Sequence, residues 1–590
     1  MPVRTIILLI SCIIFVTYST SFLNGFVGDD NVLFVDNNFY KDFSNLPKLF
    51  SNDYIVKFTD IDIAHQFGER SFSAGVSYRP VTAFSIFVSY FLWKDNPVGY
   101  HLDGILMHIL ITLLVFYLIF LIGKSKELAL IGSLIFATHP INTEVVNIMS
   151  YRSDPISLIF YLVSFISYVQ SRGSPGSRKK MLLSISFAVF FLALFSKENA
   201  VSLPAVILAY DILFAQEPWK EVLKKRKWIY LGFFTILIFY LYIYLFIFPN
   251  ANSPTLIKVG EDFFERLFVG SKIVYYYLSL FIWPFKVTVL PPLYAPPISS
   301  VNIHELLFTI TFIVVSVFLL IRYPKRSKGL AFGLIWFWLT YIPTAYILPA
   351  PNPFALRFLY LPVIGLCFIL ALAIEQTAVR LDRRLTLPNA RWILLLIFVG
   401  ANMGMTFPQN MYYKNNLTAC EEMVRNYPDC SRPYWVLGLT YLNLGKDEKA
   451  RKNLQKYLEI SRNNPFVEAM GQDYFIHHLL GRTYTEDPDR AIIEYKIAMR
   501  LRPDYVHPFL DMSLAYIQKK NYSAAITSAK KLIERRENIL AYICAIFGYM
   551  ELNDLKNARA MLRQALEHFP KNYYLEHYET LLFKKESGQD

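Results

Sequence analysis

Apolar segments approaching membrane length recur through roughly the first 410 residues, joined by short basic loops, and this succession leaves few folds open. A helix needs about 20 apolar residues to cross a bilayer. The candidate spans, with loose ends, are 5–23, 101–122, 127–138, 154–170, 181–195, 200–214, 228–248, 303–322, 329–347, 356–375 and 390–407. Two further apolar stretches, 79–93 and 263–283, are ambiguous by length alone. Positive charge decides them. The loops holding Lys124 and Lys126, Arg172 to Lys180, Lys220 to Lys227, Arg322 to Lys328 and Arg380 to Arg391 form one basic set. The positive-inside rule puts such loops on one side. All five share a side only if 79–93 and 263–283 add no crossing, so these read as interfacial or re-entrant helices on the outer face. The expectation is an all-α polytopic bundle of about eleven spans, with the N-terminus inside and the C-terminal domain outside.

Composition supports the division. The chain has 590 residues, 54% hydrophobic and only 18% charged, with a mean hydropathy of +0.33. A soluble chain carries about 25% charged residues. From about Lys414 onward the sequence turns charged and loses its long apolar runs. The boundaries read as 1–410 for the membrane module, with 24–99 as its first outer loop, and 411–590 for a soluble domain whose segment 411–430 is a lead-in helix. The net charge of +13 does not point to nucleic acid, because the surplus lies in the loops between spans. Arg4 precedes an apolar run without a small-x-small cleavage site, so the first segment reads as an uncleaved span. Cys12 and Cys367 lie in apolar spans. Cys420 and Cys430 flank a short helical stretch, and a disulfide between them is an open alternative that spacing does not decide. No metal-ligand cluster of Cys and His occurs, so no cofactor is expected, with a divalent metal left open.

The soluble tail repeats. Tyr441, Tyr484, Tyr516 and Tyr549 each close a first helix, and Ala450, Ala491, Ala525 and Ala558 mark the start of the next. Leu437-Gly438 and Leu480-Gly481 precede the first two tyrosines. The last two intervals approach the period of about 34 residues of tetratricopeptide repeats. The first is longer and holds an insertion. About four repeats suffice to bury a continuous core. The tail therefore reads as an α-solenoid that binds protein partners.

The unusual residues gather on the outer face. Asp29 and Asp30 follow the first span; Tyr78-Arg79-Pro80 precedes the first interfacial helix. The next outer loop carries His139, Glu144, Arg152 and Asp154; Ser196-Lys197-Glu198 follows, then the Pro-rich stretch at Pro291 and finally Arg357-Phe358-Leu359-Tyr360. Ionisable groups at membrane depth mark functional sites by default. A carboxylate takes a proton from an acceptor hydroxyl as general base, and Arg or Lys stabilises a departing phosphate. Glu144, Asp154 and Glu198 could orient those cations by ion pairing. A sugar carried on a polyprenyl phosphate fits these demands, with the sugar in water and the lipid between spans. Bland alternatives stand beside each reading. Arg152 with Asp154 could be a structural ion pair at a helix start, Lys197-Glu198 a salt bridge across a broken helix, His139 a packing residue and Arg357 a snorkelling cation.

The order Gly-Asp-Asp, Tyr-Arg-Pro, His-Pro-x-x-Thr-Glu, Arg-Ser-Asp, Ser-Lys-Glu and Arg-Phe-Leu-Tyr-Leu-Pro, followed by repeats, resembles the transmembrane-and-tetratricopeptide-repeat O-mannosyltransferases and their bacterial relatives, which are GT-C glycosyltransferases. The resemblance covers nearly the whole chain. It implies a polyprenyl- or dolichyl-phosphate sugar donor and an inverting transfer to a hydroxyl, of protein Ser/Thr or of a glycan or lipid, on the non-cytoplasmic face. It implies Asp29, with Asp30 beside it, as the catalytic carboxylate. Arg79, Arg152, Lys197, Arg357 and Tyr360 become donor-phosphate or substrate contacts. Glu144, Asp154, Glu198 and His139 become their supports. A bacterial inner membrane is the expected location, with the endoplasmic reticulum as alternative and the repeats on the periplasmic or lumenal side. Competing readings are a non-enzymatic scaffold that assembles envelope proteins and a lipid-linked sugar flippase.

Overall fold

The computed structural model describes residues 2–35, 37–50, 78–247, 263–287, 303–322, 327–345, 354–385, 389–462 and 473–587. The Pro-rich stretch at Pro291 and all of 51–77 in the first outer loop lie outside them. The described residues are helical throughout, without strands. They fall into two units, Met1–Pro428 and Asp429–Asp590. The segment 411–428, expected to lead into the repeats, thus belongs to the first unit.

The first unit runs through α1 (Val3–Thr17), α2 (Pro80–Trp93), α3 (Pro97–Gly123), α4 (Lys126–Thr138), α5 (Thr143–Asn147), α6 (Ser153–Arg172), α7 (Gly176–Leu194), α8 (Leu203–Phe214), α9 (Trp219–Tyr242), α10 (Phe263–Ile282), α11 (Ile303–Arg322), α12 (Lys328–Tyr341), α13 (Val363–Leu385), α14 (Ala390–Asn410) and α15 (Asn416–Asn426). Local chemistry sets the turns. Asn96 caps α3 by accepting from the Val98 N–H at 3.1 Å, and Pro97 occupies the first helical position, where its missing N–H costs nothing. Lys124 ends α3 in the left-handed region at φ 57°, and Ser125 accepts from Leu128 N to begin α4. Helix α3 packs on α1, α4 and α6, and α13 packs on α4, α12 and α14. Gly365 and Gly333 permit the α12–α13 crossing: a Cβ on Gly365 would lie 2.4 Å from the Gly333 carbonyl oxygen.

Among the described residues, five segments are long and apolar enough to cross a membrane: Pro97–Gly123, Trp219–Ile247, Ile303–Arg322, Val363–Arg383 and Ala390–Lys414. The other expected spans are helices as well, shorter or more polar than these five. Helices α1, α4, α8 and α12 have 12 to 15 residues, about 20 Å at 1.5 Å per residue. Helix α7 carries Arg178, Lys179 and Lys180 near its start, and α6 is rich in serine. The stretches read as interfacial are helices α2 and α10.

In the second unit the helices pair as α16 (Arg432–Asn443) with α17 (Asp447–Arg462), α18 (Asp473–Arg482) with α19 (Pro488–Leu501), α20 (Pro508–Gln518) with α21 (Tyr522–Ile533), and α22 (Ile539–Glu551) with α23 (Leu555–His568), followed by α24 (Tyr573–Ser587). Ala450, Ala525 and Ala558 are fully buried and Ala491 nearly so. A Cβ on Gly481 would stand 2.2 Å from the Tyr495 ring. Small residues therefore set the helix spacing while Tyr542, Leu562 and Leu575 fill the core. Cys420 and Cys430 form no disulfide.

Candidate active site

The residues singled out in the sequence occupy helix starts and the short turns between helices. Arg79 immediately precedes α2, and Arg152 and Asp154 stand at the start of α6. Glu144 lies on the five-residue α5, and Lys197 precedes the 3-10 turn Glu198–Ser202. Arg357 lies on the 3-10 turn Leu356–Leu359. Acidic residues in a first turn are favoured there by the helix dipole, which suits Glu144, Asp154 and Glu198.

Tertiary packing joins these turns by ion pairs. Arg79 holds Glu198 through Nη2 at 2.6 Å and Nε at 3.1 Å. The Lys197 ammonium reaches both oxygens of Asp154 at 2.6 Å, with both side chains at most 5% exposed. Arg357 donates twice to Glu144, from Nη1 and from its backbone N–H, each at 2.8 Å. The guanidinium of Arg357 lies 3.9 Å from the centre of the Tyr151 ring and 5.2 Å from that of Phe358. The Lys197 ammonium stands 5.4 Å from the same Phe358 ring. Asp29, half-buried, is an electrostatic neighbour of Arg357 together with Tyr151, Glu144 and Asp154. These residues make one connected cluster.

Burial and neighbouring charge oppose each other here. Burial pushes Glu198 toward the neutral form, but Arg79 and Lys197 outweigh it and hold the carboxyl at about 2. Burial lowers the pKa of Lys197, with Asp154 opposing and Arg79 adding to the effect. Burial likewise works against charge on Arg357, and Tyr151, Glu144, Asp154 and Asp29 together raise it above the ordinary arginine value.

The adjacent aspartates differ. Asp30 is fully buried and accepts backbone N–H groups of Ser150 at 2.6 Å, Met149 at 3.2 Å and Val27 at 3.4 Å. Burial raises its pKa to about 6 against these bonds. Asp30 thus ties the 24–30 loop to the turn before α6, while Asp29 is the more accessible of the two.

Several expected roles change. Neither Arg152 with Asp154 nor Lys197 with Glu198 pairs, because residues one or two apart near a helix start do not face each other. Arg152 instead donates to the Ser89 hydroxyl at 2.9 Å and the Ser85 carbonyl at 3.1 Å. It approaches Asp103 at 3.8 Å and lies against the rings of Phe34 and Tyr100. The Tyr360 hydroxyl, expected near the donor phosphate, is buried and donates to His108 Nδ1 at 2.7 Å. The Ala137 carbonyl 3.0 Å from His108 Nε2 fixes that direction, since only a protonated Nε2 can satisfy it. His139 bonds the Phe281 carbonyl through Nε2 at 3.0 Å and accepts the Ile141 N–H at Nδ1; it packs rather than supports the cations. Sequence reasoning missed Asp103, although a lone carboxylate inside the apolar α3 was the signal for it. Among the described residues no three His, Cys, Asp or Glu side chains converge as a metal site.

Residues 78–253, which hold Arg79, Glu144, Arg152, Asp154, Lys197 and Glu198, match the family of dolichyl-phosphate-mannose-protein mannosyltransferases. Residues 431–464 and 508–539 match tetratricopeptide repeats. The human protein O-mannosyl-transferase TMTC3 is 23% identical over 619 residues, covering 98% of this chain and 62% of its own length. The chain is similar to the protein O-mannosyl-transferases along nearly its whole length. The Caenorhabditis elegans protein O-mannosyl-transferase F38B6.6 is 24% identical over 466 residues, covering 76% of this chain and 62% of its own. This chain therefore spans about three-fifths of the length of these relatives. Among solved structures, ArnT from Cupriavidus metallidurans bound to undecaprenyl phosphate aligns with a TM-score of 0.37 at 11% identity, covering 85% of this chain and 89% of its own. With its apolar helices and this kinship, the chain is an integral membrane protein.

Proposed function

We propose that this protein transfers mannose, or a similar hexose, from a polyprenyl or dolichyl phosphate to a hydroxyl of protein Ser or Thr, with inversion. The observation that carries the reading is that half-buried Asp29 lies within electrostatic reach of Arg357, itself held by Glu144 and Tyr151. The Asp29 carboxylate takes the acceptor's proton as the acceptor oxygen attacks the anomeric carbon. The bond from that carbon to the phosphate oxygen breaks, and the lipid phosphate leaves. Arg357 and Lys197 stabilise its charge in a site shielded from water. Arg79 braces the cluster through Glu198. Transfer takes place on the non-cytoplasmic face of a bacterial inner membrane or of the endoplasmic reticulum, and the repeats recruit protein partners there. The relatives' kinship supports the chemistry, and the ion-paired cations support an anionic leaving group.

The test uses the purified full chain with dolichyl-phosphate mannose and a Ser/Thr peptide pool, product being read by mass spectrometry. Asp29→Asn is expected to abolish transfer while the protein keeps its fold. Undiminished transfer by that variant would remove Asp29 from the chemistry. Absence of transfer by the wild type with this donor and with undecaprenyl-phosphate sugars would favour the scaffold reading.

A further inference from the structure

The segment that carries Asp29 is held from its other side by residues nearly 390 positions later in the chain. The Gly25 N–H donates to the Lys414 carbonyl at 3.0 Å. The Gly28 N–H donates to the Asn416 side-chain oxygen at 2.7 Å. Asn24 donates to the Asn410 carbonyl at 2.7 Å and to Asn147 at 3.1 Å, and Asn147 donates to Asn410 at 2.8 Å. Val27, Ile148, Tyr413 and Ala419 fill a small core beneath these bonds. Asn416 is itself fixed, as the first residue of α15, whose capping box is built by Asn415 and Thr418.

Asp29 therefore stands between two anchors. On one side its neighbour Asp30 is bound to the backbone of 149–150. On the other its neighbour Gly28 is bound to Asn416. Gly28 has φ +59°, a left-handed conformation natural to glycine, and its peptide needs an outside partner to hold one orientation. We propose that Asn416 is a positioning residue for the reaction: its side-chain oxygen fixes the Gly28 peptide and so sets the direction in which the Asp29 carboxylate projects. The inference rests on Asp29 acting as the base. Misplacement of a reacting group by about 1 Å can cost about a hundredfold in rate, so one hydrogen bond at this position matters more to turnover than to folding.

The test compares Asn416→Asp, Asn416→Ala and Asn416→Gln in the full-length protein, with the dolichyl-phosphate mannose assay above. Aspartate keeps an oxygen acceptor at the same distance and is expected to retain kcat within about threefold. Alanine lacks the acceptor, and glutamine carries its amide one methylene too far. Both are expected to lower kcat about tenfold to a hundredfold with the donor KM unchanged. Full kcat in Asn416→Ala, or equal losses in the alanine and aspartate variants, would overturn the proposal. If Asp29→Asn alone leaves transfer intact, it is the base assignment that fails. If Asp29→Asn is inactive and Asn416→Ala is not impaired, only the positioning role fails.

Discussion

Asp154→Asn tests the charge pairing in the cluster most directly. Asp154 and Lys197 are almost completely buried, with the ammonium bridging both carboxylate oxygens. Removing the negative charge leaves the ammonium in a buried site beside Arg79 and Arg357, both of which disfavour its charge. The folded variant relieves this by releasing the lysine proton. At pH 7 that release costs about 5 kcal/mol, taking 1.36 kcal/mol per pH unit over the roughly 3.4 units to lysine's ordinary pKa. Breaking a buried pair costs about 3–5 kcal/mol in general, so the two routes agree. The sign follows from proton linkage. The lysine in the folded variant has a pKa below its unfolded value, so the unfolded state binds more protons and stability rises with pH. The cost of neutralisation falls to about 2 kcal/mol at pH 9 by the same arithmetic. Equilibrium denaturation of wild type and variant in detergent, at pH 7 and pH 9, measures the difference. Equal destabilisation at both pH values would refute the reasoning, since it would mean that the ammonium finds water or another carboxylate. The double variant Asp154→Leu/Lys197→Met, which removes both charges, is expected to lie within about 2 kcal/mol of wild type.

Asp30 gives an opposite pH dependence. Burial raises its folded pKa to about 6, so its contribution is fully present below about pH 4 and is lost as pH rises through 6. Relative to Asp30→Asn, the wild type is expected to gain up to about 3 kcal/mol between pH 7 and pH 4; parallel stability curves would show that the carboxyl is not desolvated. In the repeats, Gly481→Ala pushes a methyl group into the Tyr495 ring. The expected destabilisation is about 1–3 kcal/mol, read as a lowered unfolding midpoint of the repeat unit, and no change would mean that the helices separate freely.

Much of the secondary structure was legible because it depends on local pattern. Apolar runs gave the helices of the first unit, and the Tyr and Ala intervals gave the helix pairs of the second, with Ala450, Ala525 and Ala558 fully buried. The expected spans at α4, α8 and α12 form helices of 12 to 14 residues. In the site, the residue types were legible and the partners were not. Arg79 meets Glu198 across 119 positions, Lys197 meets Asp154 across 43, and Arg357 meets Glu144 across 213. The sequence-adjacent pairs do not form, and Tyr360 turns inward to His108.

The sequence by itself determined where carboxylates and cations could be afforded, because a charge among apolar helices is costly and must be compensated. Only the tertiary structure decided which carboxylate meets which cation, and which of two adjacent aspartates is spent on backbone N–H groups. Those choices depend on helices packing side by side from distant parts of the chain. Asp29 and Asp30 are neighbours in sequence, but one stays half-buried within electrostatic reach of Arg357 and the other is buried against residues 149 and 150.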